Sequence, residues 1–221
     1  MGSVFGKSSV AEPAFEVLYK HGNTFEYELR RYGERFAAQA SYKGSDDSPF
    51  SILAKYIGVF GTPENDGQQA MAMTAPVVID SSRKQPTAIA MTAPVIRGEN
   101  AVGEKTMQFM LPAEYDRLSK IPKPTNPDVH IKEIPPQVGA VHQYSGSFSE
   151  SHAQEMAKDL AIQLQNDGVE ITTEYVLEHY QFWGYNPPFT LPFLRRNEVW
   201  VELSKGQVET LVNGFSPEEA N

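Results

Sequence analysis

Cysteine is absent from this sequence of 221 residues. Its absence excludes disulfides, zinc sites with thiolate ligands, iron–sulfur clusters, thiolate-ligated haem and cysteine nucleophiles. Long apolar runs are also missing, and without a stretch of about 18 apolar residues the sequence predicts no transmembrane helix. The amino terminus lacks the apolar core of a signal peptide. We therefore expect a cytoplasmic protein.

Basic residues are too few to balance the acidic ones. The chain has 19 Lys and Arg against 28 Asp and Glu, which leaves a formal net charge of −9. Binding to nucleic acid or to an anionic membrane depends on basic surface, so we expect neither as a partner. The apolar share of 40% and the charged share of 21% are ordinary for a globular protein.

Hydrophobic periodicity predicts strands and two amphipathic helices. The first helix is expected to start at Ser48 and Pro49, because serine can cap free amides and proline fits the first helical position, and to stop at Gly61. The second is expected from Ser151, where a capping-box spacing precedes apolar residues on one face. Alternating or β-prone runs predict strands at residues 24–30, 35–42, 73–79, 89–96, 106–111, 129–134, 138–144, 175–183 and 197–203.

The same order of elements occurs twice. With a shift of 104 residues, the apolar helix positions from Ile52 to Phe60 fall on those from Met156 to Leu164. Neither half can bury its apolar face alone, so we expect one domain of two repeats that share a core, with a ligand cleft where they meet. The expected boundaries are an N-terminal segment at 1–14, a single domain at 15–203 with repeats at about 15–121 and 128–203, and a polar tail at 204–221.

A heptapeptide is duplicated in the first half. Ala-Met-Thr-Ala-Pro-Val-Val at residues 72–78 recurs as Ala-Met-Thr-Ala-Pro-Val-Ile at residues 90–96. One copy is expected to occupy the structural strand and the other to form part of an extended hairpin. The sequence leaves open which copy does which.

The stretch from residue 184 to residue 200 carries the clearest functional signal. Its prolines stiffen a loop that is rich in apolar and aromatic side chains, and two arginines follow. Guanidinium groups beside an aromatic face suit a flat apolar ligand that bears carboxylates. The alternative is a loop folded over its own core, with Arg196 in an ion pair with an acidic neighbour such as Glu198.

Three motifs resemble the SOUL haem-binding protein family. They are the Met-Thr-Ala-Pro-Val element, Leu-Ala-Lys-Tyr-Ile-Gly at 53–58, and the run from Gly-Tyr-Asn-Pro-Pro at 184–188 to Arg-Arg-Asn-Glu-Val-Trp at 195–200. The resemblance covers about residues 15–203. It implies an α+β fold in which two pseudo-symmetric antiparallel β-α-β-β-type repeats form a distorted eight- or nine-stranded barrel flanked by two helices. The duplicated element and the start of the chain resemble the plant or green-algal cytosolic branch.

The resemblance also implies a ligand and a set of binding residues. The ligand would be haem b or a protoporphyrin-type tetrapyrrole, bound reversibly in an apolar cleft against the first helix, with basic groups at its propionates. The binding residues that this implies are Leu53, Lys55, Tyr56 and Ile57 on the helix, and Tyr185, Phe189, Phe193, Arg195 and Arg196 on the loop.

No iron ligand is predicted. In one branch of the family a histidine after the first strand is assigned as the axial ligand, and the matching residue here is Arg31, which stays protonated and cannot bind iron. His142 and His179 are expected on strand faces from which either could reach an iron. A lone histidine on a strand is more often a structural residue.

The sequence contains no nucleophile elbow, phosphate-binding loop, zinc-protease motif or dinucleotide fingerprint. Together with the ligand that the family resemblance implies, this leads us to expect a carrier or buffer of haem and porphyrins without enzymatic activity. Two alternatives stay open. One is an enzyme that acts on a tetrapyrrole or another apolar metabolite in the same cleft, with Glu198, Tyr185 or His179 as acid or base. The other is an interaction module whose aromatic loop or second helix binds a partner protein.

Overall fold

One antiparallel sheet organises the fold. A computed structural model describes residues 11–22, 25–80, 105–147, 149–186 and 190–214. The strands in these ranges are β1 (Phe15–His21), β2 (Tyr27–Tyr32), β3 (Arg35–Tyr42), β4 (Val77–Asp80), β5 (Lys105–Met110), β6 (His130–Ile134), β7 (Gln137–Tyr144), β8 (Gln181–Gly184) and β9 (Asn197–Glu202). The helices are α1 (Asp47–Ile57), α2 (Glu150–Asn166), α3 (Thr173–His179) and α4 (Lys205–Gly214), with single 3₁₀ turns at Asp66–Gln68, Leu118–Lys120 and Pro192–Leu194.

The sheet has the strand order β1-β2-β7-β9-β8-β4-β5-β3-β6, and neighbouring strands are antiparallel throughout. The expected α+β fold, a distorted antiparallel barrel flanked by helices, is confirmed. Among the described strands the barrel is not closed, because β1 and β6 form the two edges of the sheet.

The two repeats meet at the centre of this sheet. Strands β4 and β8 hold the same place in their repeats, and they pair with each other, with Val77 opposite Gly184 and Ile79 opposite Phe182. A two-fold axis between equivalent strands requires an antiparallel pair of this kind. The central ladder therefore joins the repeats into a single sheet with a continuous core.

The sheet buries apolar side chains on both faces. Val199 and Trp200 are neighbours on β9 but belong to different buried clusters, because successive side chains of a strand point to opposite faces. The face of Val199 packs against α1 and α2. On the other face Trp200 stacks on Trp183, with ring centroids 5.9 Å apart. Gly139 on β7 leaves room for this ring, since a Cβ there would lie 2.4 Å from Trp200 Cε2.

Both predicted helices are present, with shifted ends. Helix α1 starts at Asp47 and ends before Gly58, whose φ of 88° is left-handed and whose N–H bonds to Ala54 and Lys55. The stop expected at Gly61 is therefore three residues late. Helix α2 starts two residues earlier than expected, because Ser149 is the residue that caps it by accepting a hydrogen bond from the His152 N–H.

Two expectations for local structure are corrected, and the structure adds one strand. The strand expected at 175–183 is instead α3 followed by the short β8, because the Thr172 side chain caps a helical turn there. The segment from residue 204, expected to be a polar tail, contains α4, which buries Leu211 completely. The sequence does not predict strand β1, because this edge strand is largely exposed and its apolar and polar residues do not alternate clearly.

The first copy of the duplicated heptapeptide leads into β4, and only its last two residues belong to the strand. The second copy, with the strand expected at 89–96, lies outside the described residues. None of the helices in the described ranges has the length and apolar character needed to span a bilayer.

Candidate functional site

Glu198 on β9 is the centre of a buried ion-pair network. Its side chain is completely buried on the tryptophan face of the sheet. Arg30 on β2 donates from Nη1 to both carboxylate oxygens at 3.0 Å, and the Tyr185 hydroxyl donates at 2.7 Å. Arg196 adds Nε at 3.0 Å and Nη2 at 2.8 Å. The alternative interpretation of the sequence, an ion pair between Arg196 and an acidic neighbour, is thus what the structure shows.

The charges in this network reinforce one another. Burial, and then the charge of Glu198, raises the pKa of Tyr185 well above its ordinary value. Burial would lower the pKa of Arg30, but Glu198, Tyr32 and Glu28 together outweigh this effect and hold the pKa above its ordinary value. Tyr185 therefore stays protonated and Arg30 charged at neutral pH. Five donor contacts fill the acceptor positions of Glu198, so we assign it no role as a base.

Arg196 connects this network to the protein surface. Its guanidinium lies 3.8 Å above the Tyr185 ring, and its Nε and Nη2 edge faces Glu198. The remaining Nη1 donates to both carboxylate oxygens of Glu12 at 3.0 Å. The backbone N–H of Arg196 donates to the Asn186 side chain at 2.6 Å. The side chain is 29% exposed, so Nη1 is a fixed cationic donor at the edge of the protein.

The loop between β8 and β9 leaves apolar side chains in water. Leu191 is 54% exposed and Phe193 is 70% exposed. The Pro192 carbonyl accepts a hydrogen bond from the Gly146 N–H at 2.9 Å, and Arg195 donates from Nε to the Thr190 carbonyl at 2.8 Å. The loop is therefore anchored, yet Leu191 and Phe193 are exposed to solvent. Phe189 lies outside the described residues.

The predicted residues of the first helix lie elsewhere. Leu53, Tyr56 and Ile57 are buried between α1 and the sheet, on the face opposite Tyr185. Lys55 is exposed, and its side chain has no hydrogen bond or ion pair to any described residue. The structure brings Tyr185 and Arg196 together, whereas the buried helix residues belong to the other core.

A small cleft is lined by residues of both repeats. Its cavity volume is only about 60 Å³. The Lys105 ammonium and the Glu150 carboxylate are 2.6 Å apart, and Asp46 accepts a hydrogen bond from the Tyr42 hydroxyl at 2.6 Å. Two carboxylates and one paired lysine do not suit a dicarboxylate. The lining residues are Asp46, Ile79, Lys105, Ser149, Glu150, Ala153, Tyr180 and Phe182.

The two histidines considered as iron ligands, His142 and His179, lie in different local structures. His142 is on β7 as expected, where burial lowers its pKa and Nδ1 lies 2.6 Å from the Glu26 carbonyl. His179 is on α3 rather than on a strand, and its Nδ1 lies 2.8 Å from the Tyr175 carbonyl. In the part of the chain that the structure describes, no three His, Asp or Glu side chains form a group that could hold a metal ion.

Comparison with known proteins identifies the family. The model described as "SOUL heme-binding protein" matches residues 10–88 and 80–202. The chain therefore belongs to the SOUL haem-binding protein family, and this membership supports a haem-binding function and a small-molecule tetrapyrrole partner. A search of curated proteins found no significant match.

Solved structures share the fold at low identity. The C-terminal domain of EcmrR is 11% identical with a TM-score of 0.53, and the match covers 83% of this chain and 99% of that domain. A hydrolase from Listeria innocua is 13% identical with a TM-score of 0.50, and the match covers 80% of this chain and 91% of that one. At these identities the likeness shows the fold alone.

Proposed function

We propose that the protein binds haem or a protoporphyrin-type tetrapyrrole reversibly and carries or buffers it without changing it chemically. Family membership supports the class of ligand. The structural observation that supports it most directly is Arg196, whose Nη1 already binds a carboxylate at the protein surface. We further propose that the carrier works in the cytoplasm, in keeping with the branch that the sequence resembles.

The residues of the β8–β9 loop fit a ligand of this kind. A tetrapyrrole of the protoporphyrin type combines a flat apolar ring with two propionates. Leu191 and Phe193 offer exposed apolar area, and Arg196 offers a donor that suits a carboxylate. Burial of about 300 Å² of ring surface contributes about 7 kcal/mol at roughly 25 cal/mol/Å², before the cost of association. Micromolar binding is therefore within reach without an iron ligand.

The first helix enters the proposal through Lys55. Its exposed ammonium is available for a second propionate. Leu53, Tyr56 and Ile57 have almost no exposed surface, so they would support the helix from beneath and touch the ring only if α1 moved away from the sheet. Phe189 and Arg195 stay in the proposal as loop residues, together with Tyr185, on which Arg196 stacks.

Matched variants test where the ring binds. Haemin and metal-free protoporphyrin would be titrated by absorbance into Leu191→Ala and into the control Leu118→Ala, since both leucines are 54% exposed. We expect several-fold weaker binding for the first and wild-type affinity for the second. Equal affinity in both variants would contradict binding at the loop.

A second pair of variants tests the helix. Lys55 on α1 and Lys158 on α2 are both exposed. If Lys55 meets a propionate, Lys55→Ala should weaken the binding of protoporphyrin while Lys158→Ala leaves it unchanged. Equal affinities would remove Lys55 from the site and leave the loop as the binding surface.

A further inference from the structure

At the protein surface, Arg196 binds a carboxylate of the protein itself, that of Glu12. Glu12 lies 184 residues away in sequence, in the short segment before β1, and both of its oxygens lie 3.0 Å from Nη1 of Arg196. Arg196 is held in place from two other sides, by Glu198 and by the ring of Tyr185. Such a guanidinium is arranged for a carboxylate before any ligand arrives, so a ligand carboxylate gains from the same preorganisation.

The segment that carries Glu12 is weakly attached. Besides the ion pair, residues 11–14 have one backbone hydrogen bond to the rest of the described chain, from the Ala75 N–H to the Ala11 carbonyl at 3.0 Å. Both partners of the ion pair are 29% exposed, and ion pairs near the surface contribute little to stability. Displacement of the segment from Arg196 is therefore energetically easy.

The same segment forms one wall of a groove. The groove has a cavity volume of about 460 Å³, which lies within the usual range of ligand sites. Its other walls include the apolar residues Phe36, Met110, Leu111 and Tyr115 and the charged residues Glu34, Arg35 and Asp116. A segment that moved away from Arg196 would widen this groove beside the freed guanidinium. An apolar wall next to a carboxylate-binding arginine matches the chemistry of a tetrapyrrole propionate.

We infer that Glu12 occupies the place of a ligand carboxylate, and that residues 11–14 compete with an anionic ligand for Arg196. This inference rests on the proposed function, because it names the regulation of the same site. The N-terminal segment lowers the affinity for ligands with a free carboxylate and leaves the affinity for uncharged analogues unaltered.

The test compares two glutamates with different partners. Glu12→Gln removes the competing carboxylate, and the control Glu16→Gln breaks the exposed ion pair with Arg31. Each variant would be titrated with protoporphyrin and with its dimethyl ester, which has no carboxylate. We expect Glu12→Gln to bind protoporphyrin up to about fivefold more tightly than wild type, the most that an ion pair of this kind should contribute. The ester should bind all three proteins equally.

A second readout follows the segment directly. Because the Ala75 amide bonds to Ala11, its hydrogen exchange should become faster when residues 11–14 leave Arg196. We expect faster exchange in Glu12→Gln, and in wild type on addition of protoporphyrin or sodium propionate.

The possible outcomes separate the two proposals. If wild type binds protoporphyrin and Glu12→Gln binds it no more tightly, the competition is refuted while the proposed function stands. If neither wild type nor the variants bind a porphyrin, the proposed function fails. The exchange experiment with sodium propionate then tests the competition for Arg196 by itself. Faster exchange at Ala75 with propionate then supports the competition, and unchanged exchange overturns it.

Discussion

Replacing Glu198 with glutamine is the strongest perturbation of the buried network. The substitution keeps the shape of the side chain and removes its charge, so the guanidinium of Arg30 loses the carboxylate that faces it. Arg30 is almost fully buried, and its other carboxylate partner, Glu28, contacts Nε at 2.8 Å. Arg196 still has Glu12 and partial exposure to water. The loss of stability therefore comes mainly from the buried charge of Arg30.

The size of the effect follows from burial. Removing one partner of a buried ion pair costs about 3–5 kcal/mol, because the remaining charge cannot be solvated. A native domain is stable by only about 5–15 kcal/mol, so Glu198→Gln should lose a large share of the free energy of unfolding. Because Arg30 keeps its ion pair with Glu28, we expect a loss at the lower end of this range, about 3 kcal/mol.

Denaturant unfolding followed by tryptophan fluorescence measures this loss. The chain has two tryptophans, Trp183 and Trp200, and both are buried in the cluster next to the network. Glu16→Gln is the control, and its exposed ion pair should contribute no more than about 1 kcal/mol. A destabilisation of Glu198→Gln below about 1 kcal/mol, with an unchanged denaturant slope, would show that the buried ion pair with Arg30 contributes little to stability.

Three further predictions concern packing, capping and pH. Gly139→Ala should destabilise the protein by about 1–3 kcal/mol in thermal or urea unfolding, because the new Cβ would meet the ring of Trp200. Ser149→Ala removes the cap of α2 and should cost about 1 kcal/mol in the same assay, and a neutral result would contradict the capping role. Burial lowers the pKa of His142, so its contribution to stability is complete above the ordinary histidine pKa of about 6.5 and is lost as the pH falls through the lower folded pKa. His142→Gln should therefore lose less stability than wild type on acidification, as urea midpoints at several pH values would show.

Patterns within single segments predicted much of the fold. The alternation in β3 and β7 and the apolar stripes of α1 and α2 are local signals, and the structure confirms these elements. Prediction failed where packing decides local structure. Helix α4 is held by Leu211, the one residue of the helix that is buried, while Val208 is partly buried and Val212 is exposed.

The network around Glu198 could be predicted only in part. Arg196 lies two residues before Glu198, a spacing that places both side chains on one side of an extended chain, so an ion pair between them is visible in the sequence. Arg30 and Glu12 lie 168 and 184 residues from their partners in the network. Only the arrangement of β2 and β9 on either side of β7 brings Arg30 to Glu198. No spacing in the sequence could reveal these contacts.

Equilibrium titration of the wild-type protein with haemin and with metal-free protoporphyrin is the decisive test of tetrapyrrole binding. A carrier that holds the ring by apolar contacts and propionate pairs should bind both ligands saturably and with similar affinity, with dissociation constants below about 10 μM. Absence of saturable binding in that range would contradict the proposed function. A low-spin haem spectrum with far tighter binding of haemin would show that a side chain ligates the iron, contrary to the account given above.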